Sequence, residues 1–214
     1  MVSVLAQNLS IPVTCKIRMF PPEGGEDEDA GVGSARYERT LEYARMLQSA
    51  GCQLLAVHGR TRDQKRCREI RADWEVIKAV KDALDIPVLA NGNVRCLEDA
   101  VACMEHTGAD GVLSASPLLE NPALFAGTDK SPCDLLDEYL DLVEEYPTAM
   151  RMVRAHVHQM LGAHFTRFPD VRQRMNESIP SVKLFKDVNA EVRKRANEAA
   201  AKEVETSQSP QVNG

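Results

Sequence analysis

Leu54-Leu55-Ala56-Val57-His58-Gly59-Arg60-Thr61-Arg62 is the stretch that decides the fold. An apolar run ends abruptly in a histidine, a glycine and two arginines. A buried strand that opens at its carboxyl end into imidazole and guanidinium groups is how α/β proteins build a site for an anion or an aromatic ring. Upstream, Ile11 to Arg18 has the same form, β-branched and apolar and then charged at Lys16 and Arg18. Between the two lie a glycine-rich acidic stretch from Pro21 to Ser34, expected to be a mobile loop, and an amphipathic helix from about Tyr37 to Ala50 that Gly51 stops.

Downstream the unit repeats. Asp73 is placed to cap a helix running to about Leu84, with Trp74, Ile77 and Val80 inward. Ile86 to Ala90 is a short strand ending in Asn91-Gly92-Asn93. Leu97 to His106 is the next helix, stopped by Gly108, and Gly111 to Ala115 the fourth strand. A helical turn is expected near Pro117 or Asn121. Strands alternating with helices predict an α/β fold with a parallel sheet. Periodicity alone leaves a (β/α) barrel and a doubly wound sheet both open.

After Gly127 the pattern is helical only: Pro132 to Tyr146, a helix from Pro147 with Met150, Val153, Val157, Met160 and Leu161 as its apolar face, then Val171 to Glu177 and Val182 to about Ala201. The expected organisation is a partial barrel over 1–127, an all-α domain over 131–201 and a disordered tail over 202–214, polar from about Thr206 onward.

The 214 residues carry a formal charge of −6, which gives no overall attraction to nucleic acid. The six cysteines form no CxxC pair, and no histidine stands at zinc spacing from them. No apolar run is long enough to cross a bilayer. The first ten residues do not read as a signal peptide, so an intracellular, cytoplasmic or nuclear chain with free thiols is expected. His156, His158 and His164 do not make a metal site, because the i, i+2 spacing puts the first two on different helix faces.

Polar groups collect at all four strand ends: Lys16 and Arg18, His58 and Arg60, Asn91 and Asn93, Ser114 and the amides after it. Any one of these is an ordinary solvated strand end or turn; four in succession point to a site. Gly92, Ser114 and Ala115 are small enough for backbone N–H groups to approach a phosphate, and Lys16 is a point charge suited to a ring that gains negative charge.

Several ordered motifs carry a family resemblance: Cys15-Lys16-Ile17-Arg18, Val57 to Thr61, Ala72-Asp73-Trp74, Pro87 to Val94, Thr107 to Ala115 and Glu120 to Phe125. Together they resemble the second half of a tRNA-dihydrouridine synthase, and Ser114-Ala115 with Glu120 to Phe125 resemble the eukaryotic branch acting on D-loop positions 16 and 17. The resemblance implies an FMN-binding (β/α)8 barrel followed by a helical tRNA-binding domain. In that family reduced flavin passes a hydride to the uracil double bond, with NADPH as reductant. Lys16 then corresponds to a lysine at the flavin ring and His58 to a histidine near flavin and substrate. Asn91, Gly92, Asn93, Ser114 and Ala115 correspond to the segments holding the FMN phosphate. Arg18, Arg60 and Arg62 fall at the RNA entrance, and Arg151 and Arg154 head the basic helices that grip tRNA.

None of the six cysteines stands in the motif of the family's proton-donating cysteine; Cys15 lies in a strand and Cys67 in a loop, so no catalytic residue is assigned. The acidic segment from Glu23 to Asp29 reads as an insertion on the rim. Four strands cannot close an eight-stranded barrel, so a truncated form, poorly stable and inactive alone, is expected. Two other readings are consistent with the residues: a barrel oxidoreductase binding FMN or phosphate and acting on a small metabolite, and a non-catalytic RNA-binding remnant.

Overall fold

The computed structural model describes residues 1–21, 34–66 and 70–208. The acidic segment from Glu23 to Asp29, Cys67 and residues 209–214 lie outside the described residues. Two compact units divide the chain, Met1–Ala115 and Ser116–Gly214. The division comes earlier than the expected 127–131, because the short helix after the last strand packs with the helices that follow it.

The first unit runs α1 (Val2–Asn8), β1 (Thr14–Arg18), α2 (Glu38–Ser49), β2 (Leu54–His58), α3 (Trp74–Ala83), β3 (Val88–Asn91), α4 (Leu97–Thr107) and β4 (Gly111–Leu113). The four strands are parallel and ordered β1-β2-β3-β4. Alternation along them sorts the side chains. Cys15, Ile17, Leu55, Val57, Val88, Ala90 and Val112 pack with Leu41, Ala44, Leu47, Val76, Ile77, Val80, Ala100 and Cys103 of the helices. The other phase, Lys16, Arg18, Ala56, His58, Leu89, Asn91 and Leu113, stays out of that helix-packed core.

The strands are shorter than the apolar runs, each for a local reason. β1 starts at Thr14 rather than Ile11 because Pro12 has no N–H and the Val13 amide donates to Gln53 Oε1 at 3.2 Å. β3 starts at Val88 because Pro87 likewise has none and the Val88 amide donates to Asp110 Oδ2 at 2.7 Å. β4 stops at Leu113, since the chain enters the next helix at Ser116. Asp73 caps α3 as expected, its Oδ1 accepting from the amides of Glu75 and Val76 at 2.9 and 3.3 Å. α1 is an addition to the sequence reading: Met1 offers no side-chain cap and no residue of the helix is buried, so it leaves little pattern.

The second unit comprises α5 (Ser116–Glu120), α6 (Pro132–Glu145), α7 (Met150–Met160), α8 (Gly162–Arg167), α9 (Pro169–Glu177) and α10 (Val182–Gln208). Ser131 caps α6, its Oγ accepting from the Asp134 amide at 3.1 Å, with Pro132 in the first turn where a missing N–H costs nothing. Leu136, Leu140, Val153, Val157, Leu161, Phe165, Met175, Phe185 and Val188 form its core. α8 escapes the sequence pattern because a glycine opens it. α10 extends to Gln208 where the helix was expected to end near Ala201 and give way to a disordered tail; the run Ala199-Ala200-Ala201-Lys202-Glu203 is made of strong helix formers. No helix among the described residues is long and apolar enough to cross a membrane.

Candidate functional site

The register puts Arg18 beside His58 and His58 beside Asn91 at the carboxyl ends of β1, β2 and β3. Lys16 lies two residues earlier on the same face as Arg18. The sheet therefore assembles these four side chains on the phase that the helices leave alone.

His58 is the centre of this group. Its Nε2 is buried and has no hydrogen-bond partner among the described residues. Its ring lies over Gly92: a Cβ built there would stand 3.1 Å from His58 Cδ2, 3.3 Å from Nε2 and 2.5 Å from the Ala72 Cβ. Gly92 also has φ +121°, which side-chain-bearing residues rarely adopt, so both space and backbone require glycine. Burial, and then the charges of Arg18, Lys16 and Arg60, push the His58 pKa down to about 4. Lys16 is itself lowered by partial desolvation and by Arg18.

A neutral imidazole at pH 7 follows. The unfolded chain protonates its histidine near 6.5, while the folded site resists until about 4. The unfolded state thus binds more protons between these values, so His58 costs no stability above pH 6.5 and progressively destabilises as the pH falls toward 4. A ring-proton NMR titration is expected to give His58 a midpoint well below 6. A midpoint at 6.5 would mean that its ring is open to water.

The turn under His58 is held by Ala72-Asp73-Trp74. Trp74 Nε1 donates to the Gly92 carbonyl at 3.1 Å. The Ala72 amide donates to Asn93 Oδ1 at 2.6 Å, and Arg60 Nη2 donates to the same oxygen at 3.1 Å. The Asp73 amide donates to the Gly59 carbonyl at 2.6 Å, while the Gly59 amide donates to Asn91 O at 3.2 Å. Tyr37 Oη donates to Asp73 Oδ2 at 2.7 Å, and burial with that carboxylate pushes the phenol upward. The sequence reading placed Asp73 as a cap and Trp74 as core. Their second task, joining the ends of β2 and β3, had a signal only in the motif wording.

The residues expected to hold the phosphate also bond within the protein. Asn91 Nδ2 donates to Leu113 O at 2.9 Å, Ser114 Oγ donates to Val94 O at 2.8 Å, and Asn93 Oδ1 is taken as above. These side-chain bonds brace the two loops, while Asn93 keeps its Nδ2 hydrogens, and Gly92 and Ala115 their backbone, for an anion. Arg18 Nη1 donates to Thr61 O at 3.0 Å and so ties β1 to the loop after β2. Arg62, next in that loop, is exposed.

The described cysteines are free thiols. Burial raises Cys15, Cys133 and Cys103, the last to about 11. Cys52 Sγ donates to Leu54 O at 3.1 Å, and Cys96 caps α4, accepting from the Asp99 amide. That amide bond favours the Cys96 thiolate, but the carboxylates of Glu98 and Asp99 together with desolvation outweigh it, and the thiol is raised.

In the second unit many of the basic side chains are ion-paired. Arg193 pairs with Asp134 and Asp137, Lys186 with Asp141 and Glu144, Arg195 with Asp170 and Glu191, Arg174 with Glu191, and Arg167 with Glu203. Arg154 Nη2 donates to Ser178 O at 2.7 Å, and Arg151 is exposed. His156 meets the Tyr139 ring, whereas His158 bonds Asn176 and meets Phe165, so the two diverge as their spacing predicts.

The first unit is thus a parallel α/β unit with an imidazole, cationic neighbours and glycine-lined backbone gathered at its strand ends. A family model described as dihydrouridine synthase (Dus) matches residues 1–212, and the chain belongs to that family. It is 44% identical over 190 residues to a rat protein named tRNA-dihydrouridine(16/17) synthase [NAD(P)(+)]-like, covering 89% of this chain and 39% of the relative. The Schizosaccharomyces pombe protein named tRNA-dihydrouridine(16/17) synthase [NAD(P)(+)] is 32% identical over 94% of this chain and 51% of its own length. The Saccharomyces cerevisiae protein of the same name is 35% identical over 80% and 40%. The chain thus spans about two fifths to one half of these relatives.

Proposed function

We propose that this chain carries the phosphate end of the FMN site and the helical RNA-contacting part of a tRNA-dihydrouridine synthase, whose substrate is uridine 16 or 17 of the D-loop. On this reading its sheet is the second half of a (β/α)8 barrel. The observation that carries the proposal is the buried, unpartnered His58 Nε2 set against Gly92 among Lys16, Arg18 and Arg60. A buried nitrogen left unbonded costs stability unless a ligand completes it.

The residues fit FMN. When bound, that group supplies hydride chemistry for the uracil double bond, with NADPH as the electron source. Lys16 and Arg18 place positive charge where a ring takes up negative charge. His58, uncharged at pH 7, offers a nitrogen to flavin or uracil without adding to that charge. Gly92 lets backbone come close to a phosphate, and the amides of Gly92, Asn93, Ser114 and Ala115 are the candidate donors. Arg60 and Arg62 face incoming RNA phosphates.

The test is amide and ring NMR of the full chain with millimolar FMN and, separately, riboflavin. FMN is expected to shift Lys16, His58, Gly92, Asn93, Ser114 and Ala115, whereas riboflavin, lacking the phosphate, leaves Ser114 and Ala115 unmoved. Absence of a response at His58 and Gly92, or identical responses to both flavins, would overturn the assignment.

A further inference from the structure

The ion pairs of the helical unit single out one surface. α10 contributes Lys186, Arg193 and Arg195, each held by carboxylates of its own unit. Arg151, Arg154 and Arg172 have no carboxylate partner among the described residues, and they lie on α7 and α9. α7 contains no acidic residue. The two carboxylates at the ends of α9 are already engaged, Asp170 by Arg195 and Glu177 by Gln173 Nε2 at 2.8 Å.

A groove opens on this surface. It holds about 370 Å³ and is lined by His158, Gln159, Gly162, Phe165, Arg172 and Asn176, with no carboxylate. His158 Nε2 and Asn176 Oδ1 are 2.8 Å apart across it, which leaves the Asn176 amide hydrogens and the Gln159 amide for an incoming group. The His158 ring meets the edge of buried Phe165, with centroids 5.5 Å apart. At Gly162 a Cβ would meet nothing within 4 Å. Aromatic faces, amide donors and acceptors, and an uncompensated guanidinium are the chemistry that reads an unpaired RNA base and its phosphate.

We infer that this groove is a subsite for one unpaired nucleotide of RNA, its base set against His158 above Phe165 and its phosphate on Arg172. This rests on the proposed reading of the chain as part of a tRNA-modifying enzyme. It narrows the RNA contact from the basic helices in general to the groove between α7 and α9, where Arg172 has no carboxylate partner among the described residues.

Gly162 offers a clean probe, because the groove has room for a side chain and a helical position favours leucine over glycine. Gly162→Leu is expected to keep or raise the melting temperature and to weaken binding of an unmodified tRNA transcript by roughly tenfold, about the loss of one stacked base. Arg172→Ala is expected to weaken it as well and to lower the slope of log affinity against log salt by about one phosphate contact. Lys194→Ala removes the same charge from an exposed site and is expected to bind like the parent chain. If the parent binds tRNA and both groove variants bind equally well, the subsite is wrong while the functional reading stands. Should Gly162→Leu lose its fold, Arg172→Ala alone decides. A parent chain that shows no salt-dependent tRNA binding would overturn the functional reading and the subsite together.

Discussion

Replacing Gly59 by alanine is expected to destabilise the sheet unit by about 3 kcal/mol, the upper end of overpacking penalties. A Cβ at this position would stand 2.9 Å from the Asp73 carbonyl carbon and 3.0 Å from its nitrogen, with the carbonyl oxygen closer still. These are backbone atoms, so no rotamer change relieves the clash. Relief by displacement breaks the hydrogen bond from the Asp73 amide to the Gly59 carbonyl. It also pulls on a carboxylate that caps α3 and accepts from Tyr37. A shift in the urea midpoint of that size, with the His58 ring resonance displaced toward its random-coil value, is the expected result. Gly162→Ala is the control, expected within about 1 kcal/mol of the parent on the favourable side. Equal midpoints for Gly59→Ala and the parent would mean that the approach of the two segments is not needed.

Phe185→Ala is expected to cost the helical unit about 3–5 kcal/mol, the range for removing a fully buried aromatic ring. Phe185 is completely buried and belongs to the cluster built by Leu136, Leu140, Val157, Leu161, Met175 and Val188. Since whole domains are stable by only about 5–15 kcal/mol, a loss of this size is a large share of the total. Guanidinium unfolding followed by circular dichroism measures it, and Phe185→Leu is expected to recover a good part. A cost below about 1 kcal/mol would show that the helices close the cavity or that the ring packs loosely.

Much of the fold could be read from residues because local signals agreed. Asp73, Gly108 and Pro132 each marked a helix boundary that the structure keeps. The four strands were visible as apolar runs, but their ends depended on single hydrogen bonds such as Val88 to Asp110, for which the sequence offers no pattern. At the candidate site, the strand-end pattern was informative about placement, since the register brings Lys16 and His58 to one face of the sheet and sets the His58 ring against Gly92. The internal bonds of Asn91 and Ser114 were not legible: a polar side chain at a strand end can face a ligand or a neighbouring carbonyl, and only the register decides which. The ion pairs of α10 were hidden for a related reason. The carboxylates that hold Arg193 stand at Asp134 and Asp137, far away in sequence and adjacent only after packing.

The bond from the Trp74 indole to the Gly92 carbonyl has an optical consequence. The chain holds a single tryptophan, and its chromophore is attached to the very turn on which His58 rests. Indole emission responds to what its N–H touches, so any ligand that moves the Gly92 turn registers in the intrinsic fluorescence of the unlabelled protein. Events at the strand ends therefore have a native reporter, undiluted by other tryptophans.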